Sequence, residues 1–109
     1  MSRHLYADRL FPGGGGADDI GAAREWVRET LTAWGRAEAV PVVDALIDAA
    51  RTRRPWWLSL RDHNGTLHAQ VLRGRAASTP ALIGPSSGTY GIAHTPDGLC
   101  LWATTPPTT

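Results

Sequence analysis

The apolar positions of this chain change period once, near Pro55, and the change separates a helical half from a strand half. Before it, Ile20, Ala23, Val27, Leu31 and Trp34 recur at intervals of three and four, the spacing of one helix face. Asp18 or Asp19 is expected to cap that helix, where a carboxylate also suits the positive end of the helix dipole. Gly35 is expected to stop it in the C′ role. A second helix is expected to open at Pro41, a favourable first-turn residue, with Val43, Leu46, Ile47 and Ala50 as its buried stripe. Its end is basic, and Pro55 forbids continuation.

After Pro55 the period becomes two. Trp56, Leu58 and Leu60 alternate with Trp57, Ser59 and Arg61; Leu67, Ala69 and Val71 alternate with His68, Gln70 and Leu72. Asn64-Gly65 lies between the two runs, the strongest short hairpin signal. Residues 74–88 are small, polar and rich in Pro and Gly, and read as a loop. Two last strands are expected at about 89–94 and 98–103, turning at Pro96-Asp97-Gly98. At the other end, His4 to Phe11 alternates and predicts an edge strand, followed by a flexible break at Gly13 to Gly16.

The sum predicts an α+β fold. It is a two-layer sandwich, with two helices packed on one face of a mainly antiparallel sheet of four to five strands. The expected divisions are 1–17, an N-terminal strand and Gly-rich linker; 18–103, the domain proper; and 104–109, a disordered Pro/Thr tail.

Composition narrows the chemistry. The 109 residues make one domain, and 42% apolar with 19% charged residues is a globular balance. Eleven basic against ten acidic residues leave a net charge of +1, which argues against direct nucleic-acid binding by a strongly basic surface. All eleven cations are arginine, so no lysine is present for Schiff-base or P-loop chemistry. The single cysteine, Cys100, excludes an internal disulfide and a paired-cysteine zinc site. No run approaches the 18 or so apolar residues of a membrane span, and no apolar signal segment opens the chain. A cytoplasmic, soluble protein is the expectation.

Specific stretches carry a resemblance. Phe11-Pro12-Gly13, Ala23-Arg24-Glu25-Trp26-Val27-Arg28 and Leu31-Thr32-Ala33-Trp34-Gly35 resemble the opening helix of the small histidine-kinase-like (GHKL) ATPase domains. These are the anti-sigma-type regulators of high-GC bacteria. Trp56-Trp57-Leu58-Ser59-Leu60 and Gly65-Thr66-Leu67-His68-Ala69-Gln70-Val71 resemble that family's first central hairpin. Tyr90-Gly91-Ile92 and Gly98-Leu99-Cys100-Leu101-Trp102-Ala103 resemble its closing strands. The likeness spans about residues 8–104.

The family's functional positions do not match. Its second helix carries a Glu that activates water and, four residues on, an Asn that holds magnesium; aligned on Leu46, these are Ala45 and Ala49. A one-residue slip offers only Asp44 and Asp48. The adenine-reading Asp-x-Gly is replaced by Leu72-Arg73-Gly74, and the interval from Ser78 to Gly88 is too short for a lid, a phosphate loop and a further helix. Only Gly84-Pro85-Ser86-Ser87-Gly88 is left as a remnant. The resemblance therefore implies a degenerate, truncated pseudo-ATPase that has lost nucleotide binding, with no catalytic, cofactor or metal residues. It implies a protein partner such as a sigma factor or transcriptional regulator, with self-pairing as a homodimer also open.

Other candidate features have plain readings. Gly13 to Gly16 lacks the Lys-Ser/Thr of a phosphate loop, and Asp18 and Asp19 would repel an anion there. His63, His68 and His94 have no metal-ligand spacing and read as surface or turn residues. Ser86, Ser87 and Cys100 sit in no nucleophile motif, and Cys100 reads as a small core residue. Arg51, Arg53 and Arg54 suit a helix C-terminus on dipole grounds, though they can also bind an anion with Arg73 and Arg75.

Trp56-Trp57 is the informative oddity. Neighbouring strand residues face opposite ways, so helices on one face cover only one ring. The other ring shares a face with Leu72 and needs a partner or a flanking segment to cover it. Trp57, Arg61, His68, Leu72, Arg51 and Arg54 are thus the candidate partner-binding residues. The alternative is a small-ligand binder or enzyme that reuses the vacated cleft, lined by Arg73, Ser86 and Ser87.

Overall fold

A computed structural model describes residues 4–11, 17–49, 55–73, 89–95 and 98–107. The predicted α+β fold is what it shows: two helices and a five-stranded antiparallel sheet. The strands are β1 (His4–Phe11), β2 (Trp56–His63), β3 (Thr66–Arg73), β4 (Thr89–Thr95) and β5 (Gly98–Thr105). They lie in the order β1-β2-β3-β5-β4, every neighbouring pair antiparallel. The helices are α1 (Ala17–Ala33) and α2 (Val40–Ala49).

Local chemistry fixes the joints. The β2–β3 turn is the expected Asn64-Gly65 hairpin, with φ of 53° and 92°. Positive φ at both central residues gives the twist a two-residue hairpin needs, and Asn followed by Gly tolerates it at least cost. Gly35, at φ 72°, ends α1 as predicted. The Arg36 N–H bonds the Leu31 carbonyl at 2.7 Å and the Gly35 N–H bonds that of Thr32 at 3.1 Å, the paired bonds of a Schellman cap.

Three boundaries differ from expectation. α1 starts at Ala17, so Asp18 and Asp19 lie inside its first turn rather than outside it as caps. α2 starts at Val40, one residue before Pro41, because a single 3-10 turn, Ala37–Ala39, leads straight into it. β5 runs to Thr105, so the expected tail from 104 is corrected: Thr105 is buried opposite Leu67, and the Pro106 carbonyl is hydrogen-bonded. The 74–88 loop, the basic run 51–54, Ala50 and the Gly13–Gly16 break lie outside the described residues.

The core sits between the helices and one face of the sheet. Ala23, Val27 and Leu31 of α1 join Val42, Val43, Leu46 and Ile47 of α2 in one buried cluster. The sheet adds Phe11, Trp56, Leu58, Leu60, Leu67, Ala69, Val71, Leu99, Leu101 and Ala103. Every one of these strand residues has the same parity in the register, so they share a face. Phe11 stacks on Trp56 across β1 and β2, ring centroids 4.5 Å apart.

One buried cation ties the layers together. Arg36, 3% exposed, follows α1, and nothing in its neighbourhood of sequence predicts burial. Its guanidinium donates to Asp62 at 3.3 Å, to Glu38 at 2.6 Å, to the Gly65 carbonyl, and to the Pro106 carbonyl at 2.9 Å. Asp62, fully buried, also accepts from the Gly65 N–H at 2.9 Å. Helix end, hairpin tip and the segment after β5 thus meet on one side chain, with five donors suited to such a junction. The same hydrogen bond from Arg36 is the main reason the Glu38 carboxyl sits below its ordinary pKa.

Candidate functional site

Residues of opposite parity project from the second face of the sheet. Three adjacent rows follow from the register. In one, Leu10 pairs Trp57, Trp57 pairs Leu72, Leu72 pairs Cys100, and Cys100 pairs Ala93. Two positions along, Asp8, Ser59, Gln70, Trp102 and Gly91 line up, and beyond them Tyr6, Arg61, His68 and Thr104. Neither helix contributes to this face: both direct their buried residues at the other one.

The first row is apolar and open at one end. Leu10 is 52% exposed and Trp57 38%, paired across β1 and β2 one residue in from the strand ends. The exposed ring of the Trp56-Trp57 pair is therefore Trp57, while Trp56 goes to the core. The indole N–H of Trp57 donates to Asp8 Oδ2 at 3.3 Å, and the Tyr6 hydroxyl donates to the same oxygen at 3.1 Å. The β1 strand thus flanks Trp57 and engages its polar edge without covering its face. Cys100 is buried, as expected, yet on this face and not in the helix-facing core; burial pushes its thiol pKa up, which favours the inert neutral form.

The second end of the face is a polar groove of about 500 Å³. Tyr6, Ser59, Arg61, His63, Thr66, His68 and Gln70 line it. Arg61 lies over the Tyr6 ring, 5.9 Å from its centre. His68 lies parallel to the Trp102 ring at 6.4 Å, and His63 meets His4 edge-on at 5.1 Å. Partial burial first, and the nearby Arg61 charge second, lower the His68 pKa, so its imidazole is neutral at pH 7. Gly91 lets Trp102 lie flat over β4: a Cβ there would come within 2.6 Å of the indole.

Of the predicted partner-binding residues, Trp57, Arg61, His68 and Leu72 are brought onto this one face. Arg51 and Arg54 lie outside the described residues, as do Ser86 and Ser87. Arg73 is separated from the four: it is on the helix-facing side, buried, opposite Trp56 and Leu99. Burial lowers its pKa without removing its charge. Among the described residues, Val43, Leu46 and Ile47 of α2 belong to the same buried cluster as Leu58, Val71 and Leu101 of the sheet.

Sequence reasoning missed Leu10, Tyr6, Asp8 and Trp102. The alternation of β1 does place Tyr6, Asp8 and Leu10 on one face, but only the pairing of β1 with β2 reveals that it is the face of Trp57.

Among the described residues, no group of three or more His, Cys, Asp or Glu is placed to hold a metal ion, and no helix is long and apolar enough to cross a membrane. No protein-family model, curated protein or solved structure matches the chain.

Proposed function

We propose that this protein is a non-catalytic regulatory module that binds a protein partner through the face of its sheet opposite the helices. The observation that carries the reading is the row Leu10, Trp57 and Leu72, which crosses three strands and, among the described residues, has no helix over it. Exposed apolar surface of this kind is costly unless something occupies it, and a half-exposed Trp is the residue type most often found at the energetic centre of an interface. Arg61 and His68, two rows along the same face, add polar contacts that fix orientation.

The resemblance to degenerate GHKL domains gives the reading its biological sense. An anti-sigma-like scaffold that has lost its nucleotide pocket retains protein contact as its activity, and a sigma factor or transcriptional regulator is the partner it would hold.

The test is affinity purification from native cells with the intact chain and with Trp57→Ser. The intact chain should retain one partner in stoichiometric amount, and the variant should lose it while its far-UV and thermal transitions stay intact. Equal recovery by both would remove the open face from the function. The pseudo-ATPase part is tested separately: millimolar ATP with magnesium should leave Tm unchanged, and a clear upward shift would overturn it, because any ligand of the folded state raises stability.

A further inference from the structure

The groove at the hairpin end of the open face has a composition of its own. Arg61 contributes a guanidinium, His63 and His68 contribute imidazoles, and Ser59, Thr66 and Gln70 contribute neutral hydrogen-bonding groups. They come from β2 and β3, with the Tyr6 ring of β1 as one wall. The titratable or charged groups of this face are His4, Tyr6, Asp8, Arg61, His63, His68 and Cys100. Asp8 is its one carboxylate among the described residues, and it is engaged by the Tyr6 hydroxyl and the Trp57 indole. No carboxylate within ion-pair distance of Arg61 is found among the described residues, whereas Arg24 and Arg36 both have one.

We propose that this groove binds a phosphate monoester, with Arg61 as its principal contact and His68 and His63 beside it. Charge complementarity selects an anion: the local excess of cationic and donor groups occurs on a chain whose net charge is only +1, so the site and not the whole-molecule field attracts it. Geometry selects phosphate over carboxylate. Arginine offers a planar fork that suits either, but the imidazoles, hydroxyls and amide beside it on two adjacent strands supply more donors than two coplanar oxygens can use, which fits a three-oxygen anion better. The volume is that of a small-ligand site. A bound dianion also supplies a counter-charge for Arg61 and favours the protonated imidazole beside it, so it raises the His68 pKa.

The proposal shares the open face with the partner-binding reading but not its apolar row, so the two fail separately. The experiment is an NMR titration of the full chain with phenyl phosphate and with benzoate, at constant ionic strength, following the ring C–H resonances of His68 and His63. Phenyl phosphate should give saturable shifts of both and an upward move of the His68 pKa. Arg61→Gln should weaken binding at least about tenfold, the scale of one charge-assisted contact, while Arg9→Gln leaves it unchanged. His68→Gln should weaken it and still report through His63. Shifts that do not saturate, or that fall equally in Arg9→Gln and Arg61→Gln, would reduce the effect to diffuse charge and overturn the site. Benzoate binding as tightly as phenyl phosphate would overturn the phosphate assignment. Trp57→Ser should leave the titration intact, whatever it does to partner binding.

Discussion

Replacing Arg36 by Met tests the junction that joins the two layers. The guanidinium is 3% exposed and donates to two carboxylates and two carbonyls. Removing one partner of a buried charge pair costs about 3–5 kcal/mol, because the remaining charge stays in a poorly solvating place. Here that charge is Asp62, fully buried. The two carbonyls each lose a charge-assisted bond, worth about 1.5–3 kcal/mol when measured alone. These losses overlap, since they share one side chain, and Met recovers part of the stem packing. The net expectation is a loss of about 4 kcal/mol, a large share of the roughly 5–15 kcal/mol that holds a domain of this size. Urea denaturation followed by tryptophan fluorescence reads it as a fall in midpoint of about 2 M at an m-value near 2 kcal/mol/M.

The second arm of that test is the double variant Arg36→Met with Asp62→Asn. Asn keeps an acceptor for the Gly65 N–H and removes the stranded charge. The pair should therefore lose less than the sum of the two single losses, by at least about 1 kcal/mol. A cost below about 1 kcal/mol for Arg36→Met, or strict additivity in the cycle, would refute the junction as a buried electrostatic tie.

Four further outcomes follow from other sites. Leu46→Ala, in the helix-to-sheet core, should cost about 2–5 kcal/mol in the same urea assay, with the lower end if α2 settles into the space. Gly91→Ala should lower Tm by displacing the Trp102 ring, and should change the Trp102 fluorescence; an unchanged spectrum would mean that the ring does not lie over β4. Asp44→Asn should raise stability at pH 7, since burial raises the Asp44 pKa and its Oδ1 is buried with no hydrogen-bond partner; the gain should fade as pH falls through the raised folded value and be gone well below the unfolded value of 3.8, where both folded and unfolded carboxyls are protonated. The Glu38 contribution has the opposite sign. Its folded pKa is depressed, so the stability it adds is present above the unfolded value of 4.5 and is lost as pH falls through the folded one; Glu38→Gln should flatten the acid limb of the stability curve.

The local signals in the sequence were legible where one short segment decides the outcome. Asn64-Gly65 dictates its own turn, Gly35 its own cap, and the three-four spacing from Ile20 to Leu31 one helix face. Period two also sufficed to place Trp57 opposite Trp56, and Leu72 and His68 opposite Val71 and Leu67. What stayed hidden depends on distant segments. Arg36 meets partners 26, 29 and 70 positions away, and a lone arginine after a helix looks like an ordinary surface residue. The strand order could not be read either, because alternation says which residues share a face and never which strand lies beside which. That is why the sequence alone does not assign Tyr6 and Leu10 to the face of Trp57 and Arg61, nor say on which side of the sheet Cys100 is buried.

The place of β5 has a consequence for synthesis. Of the described elements it is the last to leave a ribosome, yet it lies between β3 and β4 and brings Leu99 and Leu101 into the core. Until it emerges, β4 has no neighbour in the sheet, and β3 shows one bare edge beside a half-filled interior. A nascent chain cut short of β5 therefore leaves β3 with an open edge and β4 unpaired, so the sheet is complete only once this strand is delivered.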